Sequence, residues 1–400
     1  MTIELRRAVA DDFPAIAELD GASFGYHYAE QDLADARLDM DPERALVAVD
    51  GDRIVGVSAE LPLCMSVPGG EIRAMGLTWV SVELTHRRRG IQRALIEQQL
   101  REHAADGWVA SALTASEGGI YGRYGYGVAT QARRTVVDRS RARLRENVDT
   151  SAVRRLTTAE ARPQLLELHE RWRVRTPGAV TRWPERWELM LLDRERHRHG
   201  MSGLFHLVHP DGYVSYRIRG DDADGDARHV CRIVDYVPVT PAAHAALWQT
   251  LLAMDLVATI ESEQIPLDDP LGHLLTDARE VRTAWLRDDL WLRPLDVRGL
   301  LSARSYGVEI ETVLAVTDPL LGNDRYLLRG GPGGDGAECE RVDRAADVVL
   351  DVTALGAVVL GGVRLAELAR AGRVSGDAAA LERLDRALLA DRLPFLGTGL

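Results

Sequence analysis

Short apolar runs separated by turn residues dominate the first 140 positions. Ala45-Leu46-Val47-Ala48-Val49 and Ile54-Val55-Gly56-Val57 flank Asp50-Gly51, a pattern that predicts two strands joined by a hairpin. Before them, Asp11-Asp12 precedes the apolar positions Ile16 and Leu19. A third run, Met75 to Val82, ends in the basic loop Thr85-His86-Arg87-Arg88-Arg89-Gly90. From Ile91 to Ala105 the pattern changes period: Ile91, Ala94, Leu95, Gln98 and Leu100 recur at helical spacing with charge on the other face. The order is therefore strand, loop, helix. Trp108 to Leu113 resumes a strand. Ile120-Tyr121-Gly122-Arg123-Tyr124-Gly125-Tyr126 reads as a short helical turn broken by glycines, ahead of a last strand at Thr135-Val136-Val137.

The same grammar returns between about 141 and 289. A helical segment at Ala159 to Arg173 is followed by strands near Phe205-Val208, Val214-Ile218 and Ile233-Val237, and a proline-initiated helix runs from Thr240-Pro241 to about Met254. This unit has Val237-Pro238-Val239-Thr240-Pro241 where the first has its glycine loop, and proline removes amide donors. We therefore read it as a non-catalytic copy. A third unit, 290–400, opens with Leu290-Trp291-Leu292-Arg293-Pro294-Leu295-Asp296. It contains strands at Val308-Ile310 and Val348-Val352, a glycine-rich tip at Gly330 to Gly336, and apolar helices near Leu355-Leu360 and Leu365-Ala371. The ending Phe395-Leu396-Gly397-Thr398-Gly399-Leu400 is apolar, which suggests a tail tucked into protein.

Composition narrows the function classes. A length of 400 residues exceeds one ordinary core, in line with several domains. The 49 basic residues against 61 acidic ones leave a net charge of −12, which disfavours nucleic acid as a partner and suits a cationic one. No apolar run is long enough for a membrane span, and the first residues lack the apolar stretch of a secretory signal, so a soluble cytoplasmic protein is expected. Cys64, Cys231 and Cys339 lie far apart, at spacings that suggest neither a disulfide framework nor a metal site.

The strand-loop-helix junction is where chemistry concentrates. A glycine loop opening a helix offers unpaired amides to a pyrophosphate, and a free strand edge offers hydrogen bonds to an amide-rich arm; together these are the needs of an acyl-CoA. Arg87-Arg88-Arg89-Gly90-Ile91-Gln92 supplies the first and Val80-Ser81-Val82 the second. Taken alone, the arginine run is equally a solvated basic turn; its place about 30 residues before a tyrosine-bearing glycine turn gives it meaning. Acyl transfer to an amine needs a base for the ammonium proton and an acid for the departing thiolate. Tyr121 is the candidate acid, because a phenol is protonated at neutral pH. Tyr124 and Tyr126 suit core packing as well.

These motifs, with Ser116-Glu117-Gly118-Gly119 ahead of the tyrosine turn, resemble the GNAT acetyltransferase superfamily. In that superfamily the pyrophosphate loop reads Arg/Gln-x-x-Gly-x-Gly/Ala; Gln92 departs from it at the last position. Over essentially the whole length the chain resembles the Eis (enhanced intracellular survival) family. That resemblance implies an α+β fold of tandem GNAT domains, the second degenerate, followed by a sterol-carrier-protein-like α/β domain, with units at 1–140, 141–289 and 290–400. It implies acetyl-CoA as co-substrate, no metal, and contacts to acetyl-CoA from Val80, Ser81, Val82, Arg88, Arg89, Gly90, Ile91, Gln92, Arg93, Ser116 and Glu117. Tyr121 would be the general acid and the terminal carboxylate of Leu400 the general base, with Glu83 its rival. It implies further a homohexamer acting on amines of aminoglycosides or lysine side chains, with Phe24, Tyr26 and Glu30 as candidates for the acceptor pocket. The competing class of function is a module that binds lipid or acyl-CoA without catalysis.

Overall fold

A computed structural model describes residues 3–221, 228–333 and 337–400. The glycine-rich tip predicted at 330–336 falls between the paired strands Asp324–Gly330 and Glu338–Arg341, with its residues 334–336 outside the described ones. The described residues form three sheets. The first has seven strands in the order Glu4–Arg7, Ala45–Asp50, Arg53–Val67, Gly70–Val82, Ala110–Thr114, Leu290–Pro294 and Gly127–Val128. The second, also of seven, runs Val281–Asp288, Gln131–Asp138, Val257–Ile265, His229–Pro238, Gly212–Arg219, Phe205–His209 and Arg154–Leu156. The third has five: Glu338–Arg341, Asp324–Gly330, Ile310–Thr317, Val348–Asp351 and Val374–Gly376.

Two strands cross the boundaries drawn from sequence. Gln131–Asp138, read as the last strand of the first unit, pairs within the second sheet against Val257–Ile265 and Val281–Asp288. Leu290–Pro294, read as the opening of the third unit, inserts into the first sheet between Ala110–Thr114 and Gly127–Val128. Neither residue 140 nor residue 289 therefore separates one sheet from the next. Hydrophobic pattern cannot foresee this, because an apolar strand states that it is buried and not in which sheet.

Local signals otherwise translate directly. The hairpin pairs Asp50 with Arg53, and Gly51 takes the positive φ of +62° that such a turn requires. The helix Ile91–Ala105 buries Ile91, Leu95, Ile96, Gln99, Leu100 and His103. Ala94, placed on the buried face by spacing, is exposed and Gln98 is only half-buried, one step off the apolar stripe. Gln99 takes the buried place and donates to the Ser58 carbonyl (3.0 Å) and to Glu60 (2.9 Å). The predicted strand at Val308-Ile310 begins later, at Ile310. The helices Glu30–Asp39, Pro184–Leu191 and Ala378–Leu388 lie outside the elements predicted from sequence.

Candidate active site

The site begins where two strands part. Gly70–Val82 and Ala110–Thr114 run parallel and pair only from Ala74 to Gly76 against Ala110 to Ala112. Ala110–Thr114 pairs along its whole length on its other side with Leu290–Pro294, while among the described residues no strand pairs with Leu77 to Val82 on the edge facing the gap. A bulge opposite Ser58 accompanies the parting: Val57 faces Ser81 and Ala59 faces Thr78, with Trp79 between them at a φ of +51°.

The gap opens into a cavity of about 870 Å³ lined by Val80, Ser81, Val82, Arg88, Gly90, Ile91, Gln92, Arg93, Ser116, Glu117 and Tyr121. Ten of the eleven predicted cofactor residues thus surround one space, with Tyr121 beside them. Arg89 is the exception; it is exposed and lines no part of that cavity. The loop that enters the helix holds two left-handed residues, Arg88 (φ +63°) and Gly90 (φ +81°), an alternation that turns successive amides toward one side. Among the described residues the amides from Arg88 to Arg93 meet no protein acceptor, and Gly90 provides no side-chain cap to the helix. A Cβ added at Gly90 would meet nothing within 4 Å, so this glycine serves backbone conformation and not close packing.

Tyr121 opens a short 3-10 turn, Tyr121–Tyr124, closed by Gly125 at φ +89°. The turn is anchored from below by Arg293, which donates to the Tyr124 carbonyl (3.1 Å) and pairs with both oxygens of Asp318 (2.9 and 2.8 Å). Tyr126, fully buried, bonds Ser111 (2.7 Å) and meets Tyr121 edge to face at 6.0 Å. Tyr121 itself is 6% exposed and its hydroxyl has no protein partner among the described residues. Burial first, then the neighbouring Tyr124 and Glu117, push its pKa up to about 12, so the phenol keeps its proton through the neutral range.

A second cavity of about 520 Å³ shares Phe24, Val80, Ser116 and Tyr121 with the first and adds Trp79, Thr114, Gln264, Arg287, Asp288, Asp289 and Leu400. The tail is tucked in: Phe395 and Leu396 are buried, and the Leu400 main-chain oxygen accepts from the Thr114 hydroxyl at 3.2 Å. Asp289, 4% exposed, is pushed up to about 6 by burial, against the opposing pull of Thr130, Arg287 and the Leu396 amide. Glu83 lies elsewhere. It pairs with Arg53 (2.6 Å) and lines a separate cleft with Asp50, Asp52 and Glu18. Of the acceptor candidates, Phe24 lines both cavities that Tyr121 lines and Tyr26 one of about 250 Å³ that Trp79 also lines, whereas the exposed Glu30 lines none of these three. Sequence reading missed Trp79, Thr114, Asp289 and Arg293, whose roles arise from contacts remote in sequence.

A splayed parallel pair, a helix opening on free amides and a buried phenol between two cavities form the layout of an acyl-CoA-dependent transferase. Family models agree: residues 4–129 and 178–298 each match an acetyltransferase (GNAT) domain, and 297–397 a sterol carrier protein domain. The chain is 36% identical over 405 residues to N-acetyltransferase Eis of Mycobacterium bovis (strain BCG / Pasteur 1173P2), with 98% of each chain covered. This chain belongs to the Eis family of N-acetyltransferases. The crystal structure of Eis1 from Mycobacterium abscessus superposes on this Eis-family chain with a TM-score of 0.88 at 31% identity, covering 100% of both. A GCN5-related N-acetyltransferase from Anabaena variabilis shares the fold, with a TM-score of 0.87 at 20% identity over 100% of both chains. The Eis-family architecture of two GNAT domains and a sterol-carrier domain is therefore the one seen here, in a chain rich in both helix and strand. Among the described residues no group of three or more His, Cys, Asp or Glu side chains is placed to hold a metal ion, and no helix is long and apolar enough to cross a membrane.

Proposed function

We propose that this enzyme transfers acetyl directly from acetyl-CoA to a cationic amine, with Tyr121 as general acid and the Leu400 carboxylate as general base. The observation that carries the reading is the position of Tyr121, which lines both cavities, one with free amides and arginines and one with carboxylates. Arg88, Gly90, Ile91, Gln92 and Arg93 face the pyrophosphate, the Val80–Val82 edge pairs with the pantetheine arm, and Ser116 and Glu117 close the opposite wall. In the second cavity Asp288, Asp289 and the terminal carboxylate outnumber Arg287, the one cation among the described residues of its lining, and so favour an ammonium there. There the carboxylate of Leu400 takes one proton from the ammonium, and the freed nitrogen attacks the thioester carbonyl carbon. As the carbon–sulfur bond breaks, Tyr121 gives its proton to the departing sulfur. The nitrogen sheds a second proton, leaving an acetamide, free CoA and one proton released to water. Glu83 is the weaker base candidate, because Arg53 holds it in another cleft.

The acceptors we propose are aminoglycoside-like polyamines and lysine side chains, and the assembly a homohexamer in the cytoplasm. A thiol-release assay with acetyl-CoA and a panel of these amines tests the reaction. The chain contains no lysine, all 49 basic residues being arginine, so acetylation of its own ε-amines does not contaminate the panel. Turnover with no member of the panel would remove the acceptor class, and failure to bind acetyl-CoA would remove the reading itself. Sedimentation at assay concentration tests the hexamer.

A further inference from the structure

The second GNAT domain lacks a cofactor loop, yet it contains a buried polar cluster that reaches the tail. Arg182 is 1% exposed at its side chain and donates to both oxygens of Asp235 (2.7 and 3.0 Å), to the Tyr213 hydroxyl (3.3 Å) and to the Gly397 carbonyl (2.7 Å). Tyr213 donates in turn to Asp235 at 2.6 Å. The segment that carries Arg182 is itself fastened to the long strand Arg53–Val67 of the first sheet: the Ser66 amide donates to the Ala179 carbonyl (2.9 Å), the Gly178 amide to the Ser66 carbonyl (2.7 Å), the Thr181 amide to the Cys64 carbonyl (2.9 Å) and the Cys64 amide to the Thr181 hydroxyl (3.1 Å). Arg182 therefore joins three parts of the chain at one guanidinium.

The tail has few other places to go. The Phe395 amide donates to the Pro177 carbonyl (2.8 Å) and its ring meets Trp172 edge-on at 6.2 Å. Gly397 adopts φ +70° with Trp172 so close that an added Cβ would lie 2.5 Å from the ring. Only three residues separate the Gly397 carbonyl from the terminal carboxylate, a reach of about 10 Å when extended. A clamp at Gly397 thus limits where that carboxylate can be. A buried Arg–Asp pair adds little stability over an apolar pair of the same shape, so stability alone does not explain this one. An apolar replacement, however, would leave the Gly397 carbonyl without its donor.

We propose that Arg182 is a positioning residue for acetyl transfer: fixed by Asp235 and Tyr213, its guanidinium holds the Gly397 carbonyl and thereby sets the Leu400 carboxylate beside Thr114 in the acceptor cavity. The inference rests on the terminal carboxylate being the base. It also gives the degenerate domain a task, which is to aim the tail. Misplacement of a reacting group by about 1 Å costs on the order of a hundredfold in rate, so a clamp of this kind is read in kcat.

The test is the paired substitution Arg182→Met with Asp235→Asn, which removes both buried charges together and leaves neither unpaired. The expected result is a fall in kcat of about tenfold or more with the KM for acetyl-CoA held within about twofold, and release of Leu400 by carboxypeptidase about tenfold faster than from the native chain. Combined with a one-glycine extension past Leu400, the pair should deepen the loss no further, because both changes act on one group. Unchanged kcat and unchanged Leu400 release overturn the proposal, as does a loss that multiplies with that of the extension. If the extended native chain keeps full activity, the terminal base falls instead, and the rate of Leu400 release still decides whether Arg182 holds the tail. Should the pair fail to fold, Tyr213→Phe loosens the clamp without touching either charge; it should lower kcat about two- to fivefold and speed Leu400 release, and no change in either overturns the role.

Discussion

The two GNAT domains use one plan and differ at one junction. In each, a strand leads into a helix that crosses to a parallel strand: Gly70–Val82 through Ile91–Ala105 to Ala110–Thr114, and His229–Pro238 through Pro241–Leu252 to Val257–Ile265. At the first junction Gly90 and Arg88 are left-handed and the amides from Arg88 to Arg93 are open. At the second, Pro238 and Pro241 have no amide to give, the Val239 amide is spent on the Asp211 carbonyl (2.8 Å), and the Thr240 hydroxyl caps the helix by accepting from the Ala243 amide. A helix start that satisfies its own donors is stable and cannot bind an anion; one that leaves them open can. The two junctions thus differ in which amides are left open, not in the fold.

The sharpest break of this comparison is at Tyr121, the acid proposed for the first domain. Tyr121→Phe removes a hydroxyl without protein partners, so stability should hold while kcat falls about a hundredfold to ten-thousandfold, as steady-state kinetics beside a thermal melt will show. Because burial lifts this phenol to about 12, the donating form persists through neutral pH and is lost only as pH rises through that value. A native activity profile should therefore show no basic loss below about pH 10, and a loss centred near 8 would exclude Tyr121 as the titrating acid.

Next in size is Asp289, where the chain passes from the second sheet into the first. Its folded pKa of about 6 lies above the ordinary 3.8, so its contribution to stability is complete below pH 4 and lost as pH rises through 6. Ionising it at pH 8 costs about 3 kcal/mol, the free-energy equivalent of that rise, and Asp289→Asn escapes that cost. Urea titrations should show the variant more stable by about that much at pH 8 and equal to the native chain at pH 4. A variant less stable at pH 8 would mean that the carboxylate is better paired than its burial suggests.

Two smaller changes compare the junctions directly. Gly90→Val places a branched residue at φ +81°, which costs about 1–2 kcal/mol, and should weaken acetyl-CoA binding about tenfold by calorimetry. Thr240→Ala removes the cap of the second helix and should cost about 1 kcal/mol of stability with no change in acetyl-CoA affinity. Equal effects on binding from both would mean that the second junction also meets the cofactor.

Much of this molecule is legible in the order of its amino acids. The hairpin at Asp50-Gly51, the strand, loop and helix around Gly90, the tyrosine turn and the buried tail are local statements, and each appears where the residues placed it. They are readable because turn glycines, helical spacing and apolar runs act within a few residues. The sequence by itself therefore determined these local elements and the family, though not the helices Glu30–Asp39, Pro184–Leu191 and Ala378–Leu388. Tertiary structure alone decided that Gln131–Asp138 and Leu290–Pro294 exchange sheets, and that Glu83 turns away to Arg53. It alone brought Thr114, Asp289 and Leu400 to one cavity, and set Arg182 between Asp235 and the tail. Those pairings join residues from tens to hundreds of positions apart, and no local propensity encodes them; they follow from which buried surfaces fit together once the strands have chosen their sheets.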